Sequence, residues 1–154
     1  MRLKAYSELI GYRQLLSQLF VSRYEAFIFS DYHEYRWKIQ GSPKESIDQK
    51  EAFRWMHKSE DLVLEISRTV QKLFETLGVI RVLFKQTPEL KELSDNIYNF
   101  KTLKFEKRPQ QNWTLEELEE WKLKAVSNVQ HLVEGTIRDP INKLTFYLEK
   151  ELQQ

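Results

Sequence analysis

Apolar positions recur every third or fourth residue along most of this chain, most densely over residues 9–37. At the helical step of about 100° per residue, Leu9, Leu16, Phe20, Tyr24 and Phe27 share one stripe, with Ile10, Val21 and Ile28 beside it. Leu15, Leu19, Ala26 and Phe29 point the other way, so this helix is apolar nearly all round. Such helices are normally buried. The pattern predicts a central helix over about residues 3–40, packed on more than one side.

A second stripe is cleaner. Met56, Leu62 or Val63, Ile66, Val70, Leu73, Leu77, Ile80 and Phe84 keep a spacing of three to four residues, with Lys58, Glu65, Arg68, Lys72 and Glu75 on the other side. It predicts a helix over 43–84, either continuous, the favoured reading, or broken near Asp48 or Ser59. Between the two helices, Gly41 supplies a stop. Ser42-Pro43-Lys44-Glu45 then reads as a capping box with proline in the first helical position. A tight turn makes neighbouring helices antiparallel. Residue i then faces roughly residue 83 minus i, which sets His33 near Lys50 and Asp31 near Ala52.

Thr87-Pro88-Glu89 opens a third helix, with Leu90, Leu93, Ile97 and Phe100 inward. Residues 107–112 read as an exposed loop, and alternation leaves residues 101–106 undecided between helix and strand. Thr114 and Glu117 form a second capping box, opening a helix that buries Leu118, Trp121, Ala125, Val129 and Leu132. Gly135 is its expected stop. Asp139-Pro140 then starts a last helix burying Ile141, Leu144, Leu148 and Leu152. The fold expected is all-α: an antiparallel bundle of about five helices on a long two-helix hairpin, a single domain over 1–154. Hairpin arms of about 40 residues span about 60 Å each. That is long for so small a domain, and part of each arm needs another subunit to cover it.

Composition sharpens this picture in three ways. Only four glycines and four prolines interrupt the chain, which favours long helices. With 24 basic and 23 acidic residues, a strong electrostatic nucleic-acid binder is disfavoured. There is no cysteine, which removes disulfides, thiolate metal sites and cysteine nucleophiles and suits a cytoplasmic setting. No run approaches the ~18 apolar residues of a membrane span, and the first residues lack the apolar core of a signal peptide.

Motifs for chemistry are missing. Glu-x-x-His, His-Glu-x-x-His, phosphate-cradling glycine loops and the serine-hydrolase elbow do not occur. The expectation is therefore no cofactor, no metal and no assigned catalytic residue. Two groupings stand out. Asp31 lies on the aromatic stripe, where an unpaired carboxylate is costly. With Tyr35, Arg54 and His57 it would line a polar pocket near the first turn, unless the face simply emerges into water there. Lys101, Lys104, Lys107 and Arg108 form a basic cluster suited to nucleic acid, although solvated loop charges explain it as well. The function expected first is non-enzymatic: a cytoplasmic protein-interaction module or homo-oligomer subunit, with another protein or a second copy as partner. A small-ligand binder or enzyme using the Asp31 pocket comes second, and nucleic-acid association third.

Overall fold

The computed structural model describes residues 1–99 and 108–154. Among these, the regular elements are helices: α1 (Arg2–Ile39), α2 (Ile47–Leu83), α3 (Pro88–Tyr98), α4 (Leu115–Val133) and α5 (Asp139–Leu152). The protein is an all-α bundle on a long antiparallel hairpin of α1 and α2. A π-helical turn, Glu134–Arg138, carries α4 into α5 without a break. The five spans therefore make four separate rods, and Gly135 does not stop the chain. Pro140 explains the wide turn. Its ring clashes with the carbonyl four residues back, and it has no N–H to donate. In the π turn the Asp139 N–H reaches back five residues to the Glu134 carbonyl, which loosens the helix just before the proline.

Local chemistry fixes the hairpin. Gly41 takes a left-handed φ of 88°, the Ser42 N–H bonds to the Trp37 carbonyl and the Gly41 N–H to that of Lys38. This is the glycine-terminated motif expected at a helix C-terminus. The expected capping box at Ser42 and Glu45 is not formed. Both residues adopt left-handed φ values, 55° and 56°, whereas a capping residue is extended. Trp37 Nε1 donates to the Pro43 carbonyl at 2.8 Å, taking the acceptor that a helix starting there would use. Helix α2 starts at Ile47 instead, where the Asp48 N–H donates to Ser46 Oγ at 3.1 Å. The predicted cap at Asp139 is not formed either, since Asp139 has helical dihedrals and continues the π turn, whereas those at Thr87 and Thr114 are present. The Leu90 N–H donates to Thr87 Oγ1 at 3.2 Å, and Thr114 and Glu117 exchange reciprocal hydrogen bonds.

The chain divides into two compact units. The first takes Met1–Leu19, α2 from Glu65 onward, α3, and Leu132–Gln154. Its core is aliphatic: Leu9 and Leu16 from α1, Leu73, Leu77 and Ile80 from α2, Leu90 and Ile97 from α3, and Ile141, Leu144 and Leu148 from α5. Polar links tie its rim. Arg13 donates to Asn142 at 2.7 Å, Thr76 to Glu8 at 3.1 Å, and Tyr6 to Glu149. Arg81 pairs with Asp95 at 2.7 Å and lies over the Tyr98 ring.

The second unit takes Phe20–Leu64 and α4 up to His131. Here α1 buries every second residue: Tyr24, Ala26, Ile28, Ser30 and Tyr32. On a helix, alternate positions lie on opposite sides. The segment is the middle of a three-helix layer, with α2 on one flank and α4 on the other. Ser30 Oγ donates to the Ala52 carbonyl at 2.9 Å and Phe29 packs on Trp55 at 4.9 Å, both on α2. Tyr32 OH donates to Glu119 of α4 at 2.7 Å. In the first unit Arg2 donates to the Leu83 carbonyl, and there as here each α1–α2 pair adds to within about two of the predicted 83.

The predicted stripes do not stay inside throughout. Phe27 of α1 is 36% exposed, and Met56 and Val63 of α2 are 44% and 39% exposed. Phe20, Trp121 and Ala125 are half-buried. Among the described residues, α2 flanks α1 on one side of this unit and α4 on the other. No described helix is long and apolar enough to cross a membrane.

Candidate functional site

The second unit concentrates the polar chemistry of the chain on the last turns of α1. Helical spacing sends Asp31, Tyr32 and His33 in three directions about 100° apart, and each meets a different element. His33 Nδ1 lies 2.8 Å from Asp48 Oδ1 in the first turn of α2, and Arg36 Nε lies 3.6 Å from the other oxygen. Asp48 suits that place, because helix N-termini favour negative charge. Tyr32 points to α4, where its hydroxyl donates to Glu119 and Lys122 Nζ sits 4.2 Å above its ring. Lys122 also pairs with Glu119 at 2.8 Å. Arg36 Nη1 donates to the Tyr32 hydroxyl at 3.4 Å, which joins the two groups into one network. Asp31 receives a two-pronged contact from Arg108, at 2.8 and 3.2 Å.

The electrostatics of this network push its acids away from neutrality. Burial raises the Tyr32 phenol above its usual value, and its hydrogen bond to Glu119 adds to the rise. Hydrogen bonds from Lys122 and Tyr32 hold the Glu119 carboxyl below the usual carboxylate range. The hydrogen bond to Asp31 raises Arg108 further. General acid–base catalysis near neutral pH wants the reverse, groups drawn toward neutrality. As built, the network braces three elements against one another.

The four residues assigned from sequence to a polar pocket fall into two places. Asp31 is held by Arg108, and Tyr35 contributes a smaller electrostatic term at the same guanidinium while lying under Lys38 at 4.8 Å. Arg54 turns along its own helix to Glu51 at 2.6 Å and over the Trp55 ring at 4.6 Å. His57 turns to Glu60 at 3.6 Å, and both side chains are largely in solvent, 72% and 67% exposed. Of the basic cluster, Arg108 is accounted for by Asp31. Lys101, Lys104 and Lys107 lie outside the described residues. Among the described residues no three His, Asp or Glu side chains gather as metal ligands do.

The exposed apolar residues of the layer are the other candidate. From Phe20 to the end of α1 at Ile39, Phe27 is the sole exposed residue. The antiparallel register sets it level with Met56 and sets Phe20 level with Val63. Arg23 lies with its guanidinium carbon 5.2 Å from the centre of the Phe27 ring. Its Nε is buried without a hydrogen-bond acceptor. Further round α2, Phe53 and Leu64 are exposed as well. Sequence periodicity counts Phe27 and Met56 as core, together with Leu62 or Val63. The signal that separates them is the register: 27 with 56, and 20 with 63, put apolar residues level on one side of two neighbouring helices. Compared with models of protein families, with curated proteins and with solved structures, the chain gave no match.

Proposed function

We propose that this chain is a protein-interaction module that works by association, through the exposed apolar residues of the second unit. The observation that carries the reading is the identity of Phe27. A helix enclosed along twenty residues leaves one residue exposed, and that residue is a phenylalanine beside an exposed methionine and an exposed valine. Grouped apolar surface of this kind marks partner sites on water-soluble helical proteins. Aromatic and methionine side chains are also the types enriched where partners are bound. The braced network on the far end of α1 supports the reading by holding the three helices in a fixed layer, so that association costs little ordering.

The alternative of a ligand pocket has less behind it, because Arg54 and His57 are paired along α2 while Asp31 is paired with Arg108. Contact with nucleic acid through Lys101, Lys104, Lys107 and Arg108 likewise rests on the sequence cluster alone.

The test is site-specific photo-crosslinking in cells. A benzophenone side chain placed at Phe27 or at Met56 is expected to give discrete adducts, and the same group at the exposed Lys143 of the first unit is expected to give none. Adducts absent at both 27 and 56, or equally strong at 143, overturn the reading.

A further inference from the structure

The segment from Ser42 to Ser46 carries backbone strain. Ser42 and Glu45 take left-handed φ values, 55° and 56°, which residues with a side chain rarely adopt. Ser42 also precedes Pro43, and a following proline favours extended backbone instead. Trp37 anchors this shape, its Nε1 donating to the Pro43 carbonyl at 2.8 Å. Beyond it α2 begins loosely, with the Lys50 N–H returning to the Ser46 carbonyl at 3.4 Å and Ile47 78% exposed. The same residues also spell out a different start. Ser42, Pro43 and Glu45 stand at the cap, first and third positions of a capping box. The register read from Ser30 with Ala52 and His33 with Asp48 centres the reversal on about Gly41. A helix beginning at Pro43 therefore continues α2 along its own line.

We propose that Ser42–Ser46 is a two-state element with Trp37 as its latch. In the open state, the one the structure holds, the indole N–H occupies the Pro43 carbonyl. In the wound state that carbonyl accepts the Ile47 N–H, Ser42 Oγ accepts the Glu45 N–H, and α2 gains a turn. Winding returns Ser42 to the extended φ of a cap and Glu45 to helical φ, which relieves both strained positions. Against this, the indole hydrogen bond is lost, and the Asp48 N–H passes from Ser46 Oγ to the Lys44 carbonyl. Hydrogen bonds exchange for hydrogen bonds, so the two states lie close in free energy. The element couples Trp37 to the length of α2. A bound protein that offers the indole another acceptor releases Pro43 and adds a turn at the hairpin tip.

The experiment is nuclear magnetic resonance on the full chain. In the wild type, the Glu45 and Ile47 amides are expected to show microsecond-to-millisecond exchange in relaxation dispersion. Trp37→Phe keeps a ring and loses the N–H. The Cα shifts of Lys44, Glu45 and Ser46 are then expected to move toward helical values, as the wound-to-open ratio rises about fivefold with the loss of one hydrogen bond. Adding Ser42→Ala removes the cap of the wound state and is expected to lower the ratio again by about fivefold. Unmoved resonances of the buried Leu77 identify variants that keep the fold. Flat dispersion profiles in the wild type overturn the inference. So do Cα shifts left unchanged by Trp37→Phe, or a move toward coil values, which makes Trp37 a plain clamp. A helical shift that Ser42→Ala leaves in place overturns it as well.

Discussion

The two compact units are built from the same two long helices, yet they hold together by different means. In the first, leucine and isoleucine side chains from α1, α2, α3 and α5 lose essentially all their surface to one another. Burial of that kind contributes roughly 2 kcal/mol per large aliphatic side chain. In the second, Ile28, Leu118, Val129 and the small Ala26 are enclosed as completely among the described residues, and further links are aromatic and ionic: Tyr32 to Glu119, His33 to Asp48, Asp31 to Arg108. Hydrogen bonds of this sort net about 1 kcal/mol each. The difference teaches where spare apolar surface comes from. Around the first unit's core, helices surround α1's dry stripe. In the second unit α2 and α4 flank α1, and Phe27, Met56 and Val63 keep part of their surface exposed.

The comparison breaks most readily in the first unit's core. Leu77→Ala removes a side chain with no exposed surface and is expected to cost about 3 kcal/mol in urea unfolding. Met56→Ala, measured under dilute conditions, is expected to cost less than about 0.5 kcal/mol. Equal losses would show that the open face is part of the core. An intermediate effect is expected from Tyr32→Phe. It removes the hydroxyl between Glu119 and Arg36 and should cost about 1–2 kcal/mol, read by the same unfolding curves. A negligible loss would mean the network does not brace the layer.

The smallest effect is the dependence on pH, where the signs differ for the two partners of one hydrogen bond. The Glu119 carboxyl is depressed in the folded state, so its contribution is present above the ordinary carboxylate range and fades as pH falls through the lowered value. The Tyr32 phenol is raised, so its contribution is present below the ordinary tyrosine value of 10.0 and fades as pH rises through the raised one. Stability measured against pH is expected to decline at both ends, and Glu119→Gln is expected to shallow the acid limb. An acid limb identical in that variant would remove Glu119 from the account.

Much of the candidate site was readable one residue at a time, but its pairings were not. Asp31 stood out as a carboxylate on an apolar stripe that needed a partner. Residues of the facing helix, Arg54, His57 and Lys58, were the natural choices, because hairpin register is the one long-range rule a sequence offers. The partner is Arg108, which lies seventy-seven residues away and beyond any local rule. Glu119 sits in an ordinary acidic start to a helix, and nothing local marks it or Lys122 as the floor under Tyr32.

Local rules were enough for the helical class, for the reversal at Gly41, for the caps at Thr87 and Thr114, and for the pairing of α1 with α2. Each depends on backbone propensity, capping groups or period, and these act within a few residues. The start of α2 and the passage through Gly135 went differently. Trp37 claims the Pro43 carbonyl in the first case, and a π turn accommodates Pro140 in the second. Only the tertiary structure decided which apolar residues are interior. Periodicity reports that a side of a helix is apolar. Whether other elements enclose that side depends on what the rest of the chain brings to it, and Phe27, Met56 and Val63 keep more than a third of their surface exposed.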